Sequence, residues 1–169
     1  MIQRRVEPFG EGWVAEGASI TGDVTLGHDA SVWFGCVLRG DDASITVGAR
    51  TNIQDLTMVH ADPGVPMTIG EEVTVGHRAV LHGIRIEPRC LIGMGAILLS
   101  GSVIGEGAVI AAGAVVTEGK VIPPRSLAVG MPARVVRKVT DEELAELILF
   151  PAEEYARKAK MHHAGEFLR

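Results

Sequence analysis

The chain has 169 residues, 47% of them hydrophobic but only 4% aromatic, with a net charge of −5 and 21 glycines scattered along it. That length suffices for one domain with a sizeable core of Val, Ile, Leu and Ala, and an acidic chain with no basic run beyond Arg4-Arg5 is not built to neutralise phosphates, which excludes nucleic acid as a partner. No apolar stretch approaches the roughly 20 residues of a membrane helix, Met1 to Val6 lacks the apolar segment of a signal peptide, and Cys36 and Cys90 make no disulfide framework, so a cytoplasmic protein is expected.

From Val14 onward an aliphatic residue recurs every six positions: Val14, Ile20, Leu26, Val32 and Leu38. After a short interruption the series resumes at Val47, Ile53 and Val59, and after a longer one at Ile69, Val75 and Leu81. One residue then drops out, and Ile86, Ile92, Leu98, Ile104, Ile110, Val116 and Ile122 follow. Four positions after the aliphatic there usually stands a small or β-branched residue, such as Ala30, Cys36, Thr57, Ala79, Cys90 or Ala96, and a glycine, which supplies the backbone freedom that turns demand, often follows the aliphatic directly. A period of six is neither the 3.6 of a helix nor the 2 of an ordinary strand. It fits a short strand and a tight turn, three of which close a triangular coil of about 18 residues, with the aliphatics inside and the small residues in the corners. Stacked coils make an all-β solenoid over residues 14–127, within a domain of residues 1–139. The spacing resembles that of the hexapeptide-repeat proteins, and the resemblance implies a left-handed parallel β-helix. Past Gly130-Met131-Pro132, Thr140-Asp141-Glu142-Glu143 reads as a capping box. Leu144, Leu147 and Ile148 give a helix its apolar face, and Pro151 is expected to break that helix before a second segment, so residues 140–169 form a helical segment packed on the solenoid.

The largest break in the repeat follows Val59, where residues 60–67 add four positions, and three histidines surround it. His60 and His82 each stand just after an aliphatic of the second face, so they stack one coil apart. His77 stands two residues after Val75 of the first face, round a corner. A three-fold assembly would let the first face of one chain meet the second face of its neighbour and complete a site of three histidines, the donor set of a catalytic zinc with one open position. A single surface histidine is ordinarily a solvated side chain, and His28, His162 and His163 are read that way; three in register at an insertion point to a metal. Arg39 shares the phase of His60 one coil earlier. With Asp41 and Asp55 it reads as an ion pair crossing between subunits, while Gln54 can orient a water at the metal.

Arg39-Gly40-Asp41, Gln54-Asp55, His60, Gly76-His77, Leu81-His82-Gly83 and Ile92-Gly93-Met94-Gly95-Ala96 resemble the γ-class carbonic anhydrases. The resemblance covers most of the chain. It implies a homotrimer with zinc, or alternatively iron(II) or cobalt(II), at each subunit interface, and hydration of carbon dioxide to bicarbonate by a metal-bound hydroxide. The loop after His60 is shorter and less acidic than in the prototype members, which leaves Asp42 and Asp62 as the acids that pass the proton on. A tyrosine near the site in some relatives is similar to Tyr155. Two other readings follow from the solenoid: a hexapeptide acyltransferase or acyl-CoA thioesterase, and a non-catalytic metal-binding protein of the ferripyochelin-binding kind.

Overall fold

The computed structural model describes residues 5–167; the expectations placed on Met1 to Arg4 and on the last two residues of the 140–169 segment lie outside the described residues. The architecture is a left-handed parallel β-helix of about six turns with a C-terminal helix. Its aliphatic residues stack in three inward columns. Val14, Val32, Ile53, Val75, Ile92 and Ile110 pair in register down the first face. Leu38, Val59, Leu81, Leu98 and Val116 do so on the second, and Val47, Ile69, Ile86, Ile104 and Ile122 on the third. Nearly all of these side chains are fully buried. Each Leu or Ile so buried contributes about 1.5–3 kcal/mol, so a core with almost no aromatics is sufficient when every coil adds three aliphatics.

The first face forms a nine-stranded sheet. The second and third are one ten-stranded sheet, because the 11-residue strand Val37–Val47 bends round the corner between them. Antiparallel strands cover the two ends of the nine-stranded sheet: Val6–Phe9 on Gly12–Ala15, and Arg134–Lys138 on Ser126–Val129. Cys36 and Cys90 fill corner positions, and burial pushes their thiols up to about 11 and about 12. Neither is a thiolate near neutral pH, and the thiolate is the reactive form. The native protein is therefore expected to leave both thiols untouched by a disulfide reagent and to release two equivalents on unfolding in denaturant; prompt reaction of either thiol in the native state would contradict this placement.

The glycines after the aliphatics serve a different purpose from the turn freedom the sequence suggests. Gly48 and Gly93 are absent from the left-handed region, but a Cβ on either would lie 2.4 Å from a backbone nitrogen of the next coil, Glu71 or Ala112. Close stacking of coils excludes a side chain there. The left-handed residue comes two positions later, at Arg50 and Gly95.

Thr140 caps the C-terminal helix as its sequence predicts: the Glu143 amide donates to Thr140 Oγ1 at 3.2 Å, and the Thr140 amide donates to Glu143 Oε2 at 3.0 Å. Pro151 does not break the helix. The π-helical turn Ala145–Leu149 joins Asp141–Leu144 to Phe150–His163, and Pro151 falls in the first turn of the latter, where its missing N–H and its ring are tolerated. Ala159 and Tyr155 on the long helix pack against Val6, Ala15, Trp13, Trp33 and Phe34, which draws the scarce aromatics into one cluster on the upper coils. His162 joins it rather than facing solvent, packing on Trp33 and Phe34, whereas His163 stays exposed as expected, with its Nδ1 3.1 Å from the Val6 carbonyl. Burial lowers the pKa of His162. Among the described residues no helix is long and apolar enough to cross a membrane.

Candidate metal centre

Equal phase in the repeat becomes physical stacking at the break. The strands Val37–Val47, Met58–His60 and Val80–His82 lie side by side, with Arg39 paired to His60 and His60 paired to His82. The inserted loop does not run into solvent. The Val65 amide donates to the Asp62 carbonyl at 3.0 Å and the Gly64 amide to the Asp42 carbonyl at 3.2 Å, and Ala61 is fully buried. This tight turn brings acids to both sides of the histidine pair.

His60 Nδ1 and His82 Nε2 face each other at 3.2 Å. Two nitrogens about 2.0–2.1 Å from one tetrahedral metal lie about 3.3 Å apart, so the pair is spaced as a chelate. The outer nitrogens meet oxygens. His60 Nε2 lies 3.1 Å from Asp42 Oδ2 and 3.3 Å from Asp41 Oδ1. His82 Nδ1 lies 3.0 Å from Ser100 Oγ and 3.3 Å from Asp62 Oδ1. Carboxylates accept and never donate when ionised, so they favour the ring protons on the outer nitrogens and leave two lone pairs facing inward. Facing lone pairs repel, and a cation between them removes the repulsion. His60 Nε2 is also buried without a hydrogen bond, since its approach to the two aspartates is close but poorly directed. An unsatisfied ring nitrogen of that kind destabilises the chain alone, and tightening of the ring onto Asp42 as its other nitrogen takes a metal would satisfy it. The donor set fits a divalent metal.

His77 stands apart from this pair. Its Nδ1 lies 2.9 Å from Asp55 Oδ2, which leaves Nε2 as the nitrogen available to a ligand. Among the described residues of one chain, the three-ligand cluster is Asp41, Asp42 and His60, without His77. Arg39 pairs with Asp41 in the same chain; desolvation raises the Asp41 carboxyl, but its own backbone amide, Arg39 and His60 together hold it below its ordinary range. Asp55 lies on the other side, with His77. Gln54 is buried, and its Nε2 donates to Asn52 Oδ1 at 3.1 Å, while Asn52 Nδ2 donates to Thr74 Oγ1 at 2.9 Å. Tyr155 packs edge-on against Trp33; burial first, and then the charge of Asp55, raises its phenol. It thus sits on the Asp55 and His77 side of the molecule and away from the His60–His82 pair. Ser100 is the residue that sequence reading missed. It stands two positions after Leu98, one past the residue in phase with His82, so the register alone points to Leu99 and gives no signal for it.

A family model described as bacterial transferase hexapeptide (six repeats) matches residues 83–118. The carbonic anhydrase of Geobacillus kaustophilus is 45% identical over 152 residues, covering 90% of this chain and 83% of that protein. The chain belongs to the γ-class carbonic anhydrase family. Gamma carbonic anhydrase 1, mitochondrial, of Arabidopsis thaliana is 46% identical over 160 residues, which are 91% of this chain and 58% of that relative, so the chain spans a little over half the length of that plant protein. Among solved structures, a hexapeptide transferase family protein from Anaplasma phagocytophilum superposes with a TM-score of 0.85 at 39% identity, covering 90% of this chain and 89% of that one.

Proposed function

We propose that the protein is a metal-dependent lyase that interconverts carbon dioxide and bicarbonate, as a homotrimer with one centre per subunit interface. His60 and His82 of one chain and His77 of the next hold the metal, zinc or alternatively iron(II) or cobalt(II). The observation that carries this reading is the in-register pair of imidazole nitrogens 3.2 Å apart with acids on both outer sides. A divalent metal there supplies Lewis-acid chemistry that makes water a nucleophile near neutral pH. Gln54, whose amide is held by Asn52, would accept from and donate to the reacting water. Asp42, exposed beside His60, passes the proton released at each turnover to buffer. Leu56 and Met94, 62% and 61% exposed, flank the Asp55 and His77 corner, and an apolar surface of this kind calls for a covering subunit.

The test is to purify the protein without chelator, count metal per chain, and assay hydration at several buffer concentrations beside His82→Ala. About one metal per chain is expected, with a rate that rises with buffer and is lost, together with the metal, in the variant. Metal without hydration would leave a binding protein or an acyl-transfer enzyme; no metal even after zinc is supplied would remove the three-histidine reading altogether.

A further inference from the structure

Asp62, expected from the sequence to pass protons alongside Asp42, stands in surroundings that point to other work. The Ser100 hydroxyl donates to Asp62 Oδ1 at 3.1 Å. The same Oδ1 lies 3.3 Å from His82 Nδ1, and Ser100 Oγ lies 3.0 Å from that nitrogen. The second oxygen, Oδ2, occupies a space that exists because residue 83 is glycine: a Cβ there would lie 1.7 Å from it, and φ at Gly83 is +55°. Both carboxylate oxygens are therefore committed, one to Ser100 and His82 and one to the hollow over Gly83.

Counting protons decides what this does to His82. The carboxylate has none, and the single hydroxyl proton of Ser100 goes to Asp62. Both oxygens beside His82 Nδ1 can then only accept, so Nδ1 must carry the ring proton and Nε2 must carry the lone pair. Nε2 is the nitrogen that faces His60. We infer that Asp62 and Ser100 are positioning residues that fix the tautomer and orientation of His82, with Gly83 as the hollow that admits the carboxylate. Partners of this type orient a metal-binding imidazole and raise its basicity, and losing one weakens metal binding roughly 10–100-fold.

The inference rests on the metal reading of His82, and two measurements keep them separable. The first is the tautomer of His82 in the metal-free trimer, read from long-range proton–nitrogen NMR correlations of histidine-labelled protein. The second is zinc affinity by competition with a chromophoric chelator. Wild type is expected to hold His82 as the Nδ1–H tautomer. In Asp62→Asn the new amide group can donate to Ser100, which then donates to Nδ1; the tautomer is expected to invert, and zinc affinity to fall by one to two orders of magnitude. Ser100→Ala leaves the Asp62 carboxylate as the acceptor beside Nδ1, so the Nδ1–H tautomer is expected to persist while the less firmly held ring binds zinc roughly tenfold more weakly, and Ser100→Thr, which restores the hydroxyl, should recover the affinity. A merely structural role would lower stability without inverting a tautomer. If wild type binds zinc while both variants bind it equally well with His82 unchanged, the inference fails and the metal reading stands. If wild type binds no zinc, the metal reading fails, and an Nδ1–H tautomer that inverts in Asp62→Asn still upholds the relation between these side chains.

Discussion

Chains carrying His77→Ala and chains carrying His82→Ala are each expected to be inactive alone, yet equal amounts folded together should recover about one quarter of wild-type hydration and of bound metal. The fraction follows from how the proposed centre divides its ligands. His60 and His82 share one face and one lone-pair gap, while His77 is tied to Asp55 round a corner. An interface is whole only where a chain with an intact pair meets a neighbour with an intact His77. Random mixing puts about three quarters of the trimers in mixed form, and each mixed trimer has one such interface out of three. Zinc per chain should follow the same fraction as the rate. Complete inactivity of a mixture whose trimers demonstrably exchange would mean that the ligands do not cross between subunits, and full activity in either variant alone would remove that residue from the centre.

The sequence was most informative wherever the period of six held. Once Val59 and Leu81 were assigned to one face, His60 and His82 had to be neighbours, and the pairing of His60 with His82 is that same register. Register alone could not show where side chains turn. Nothing in the spacing indicates that the loop after His60 folds back so that Asp62 lies over Gly83, because that depends on a turn built from Val65 and Gly64. The role of the glycines was hidden for a related reason: composition reports how often glycine occurs, while the distance between stacked coils decides why. Pro151 was misjudged because a local rule for α-helices was applied where a π-helical turn changes the geometry. The packing of His162 is invisible in local spacing because the surface that receives it, Trp33 and Phe34, comes from a coil more than a hundred residues earlier.

Gly40, between Arg39 and Asp41, is where the fold and the centre meet most directly, and Gly40→Ala is expected to damage both. Its φ is not left-handed, so the backbone itself would accept alanine. The space would not: a Cβ lies 2.4 Å from the Asp23 carbonyl oxygen and 2.9 Å from its carbon. These atoms belong to the strand Ser19–Leu26, which pairs with Val37–Val47 through an irregular register at this point. A clash with backbone cannot be relieved by a rotamer, so the strands must part. Overpacking of this kind costs about 3 kcal/mol, which lowers the melting temperature of a chain this size by roughly 6–12 °C. Gly113→Ala is the control. Gly113 has φ +66° but open space around its Cβ position, so it carries only the conformational penalty of about 1 kcal/mol. The two variants should also differ at the centre. Displacing Gly40 moves Asp41 away from His60 Nε2 and Arg39 away from its place above His60, so zinc affinity should fall in Gly40→Ala and stay at the wild-type level in Gly113→Ala. Equal thermal shifts in the two variants would show that coil separation is softer than these contacts require, and unchanged zinc binding in Gly40→Ala would detach the Arg39-Gly40-Asp41 segment from the metal centre.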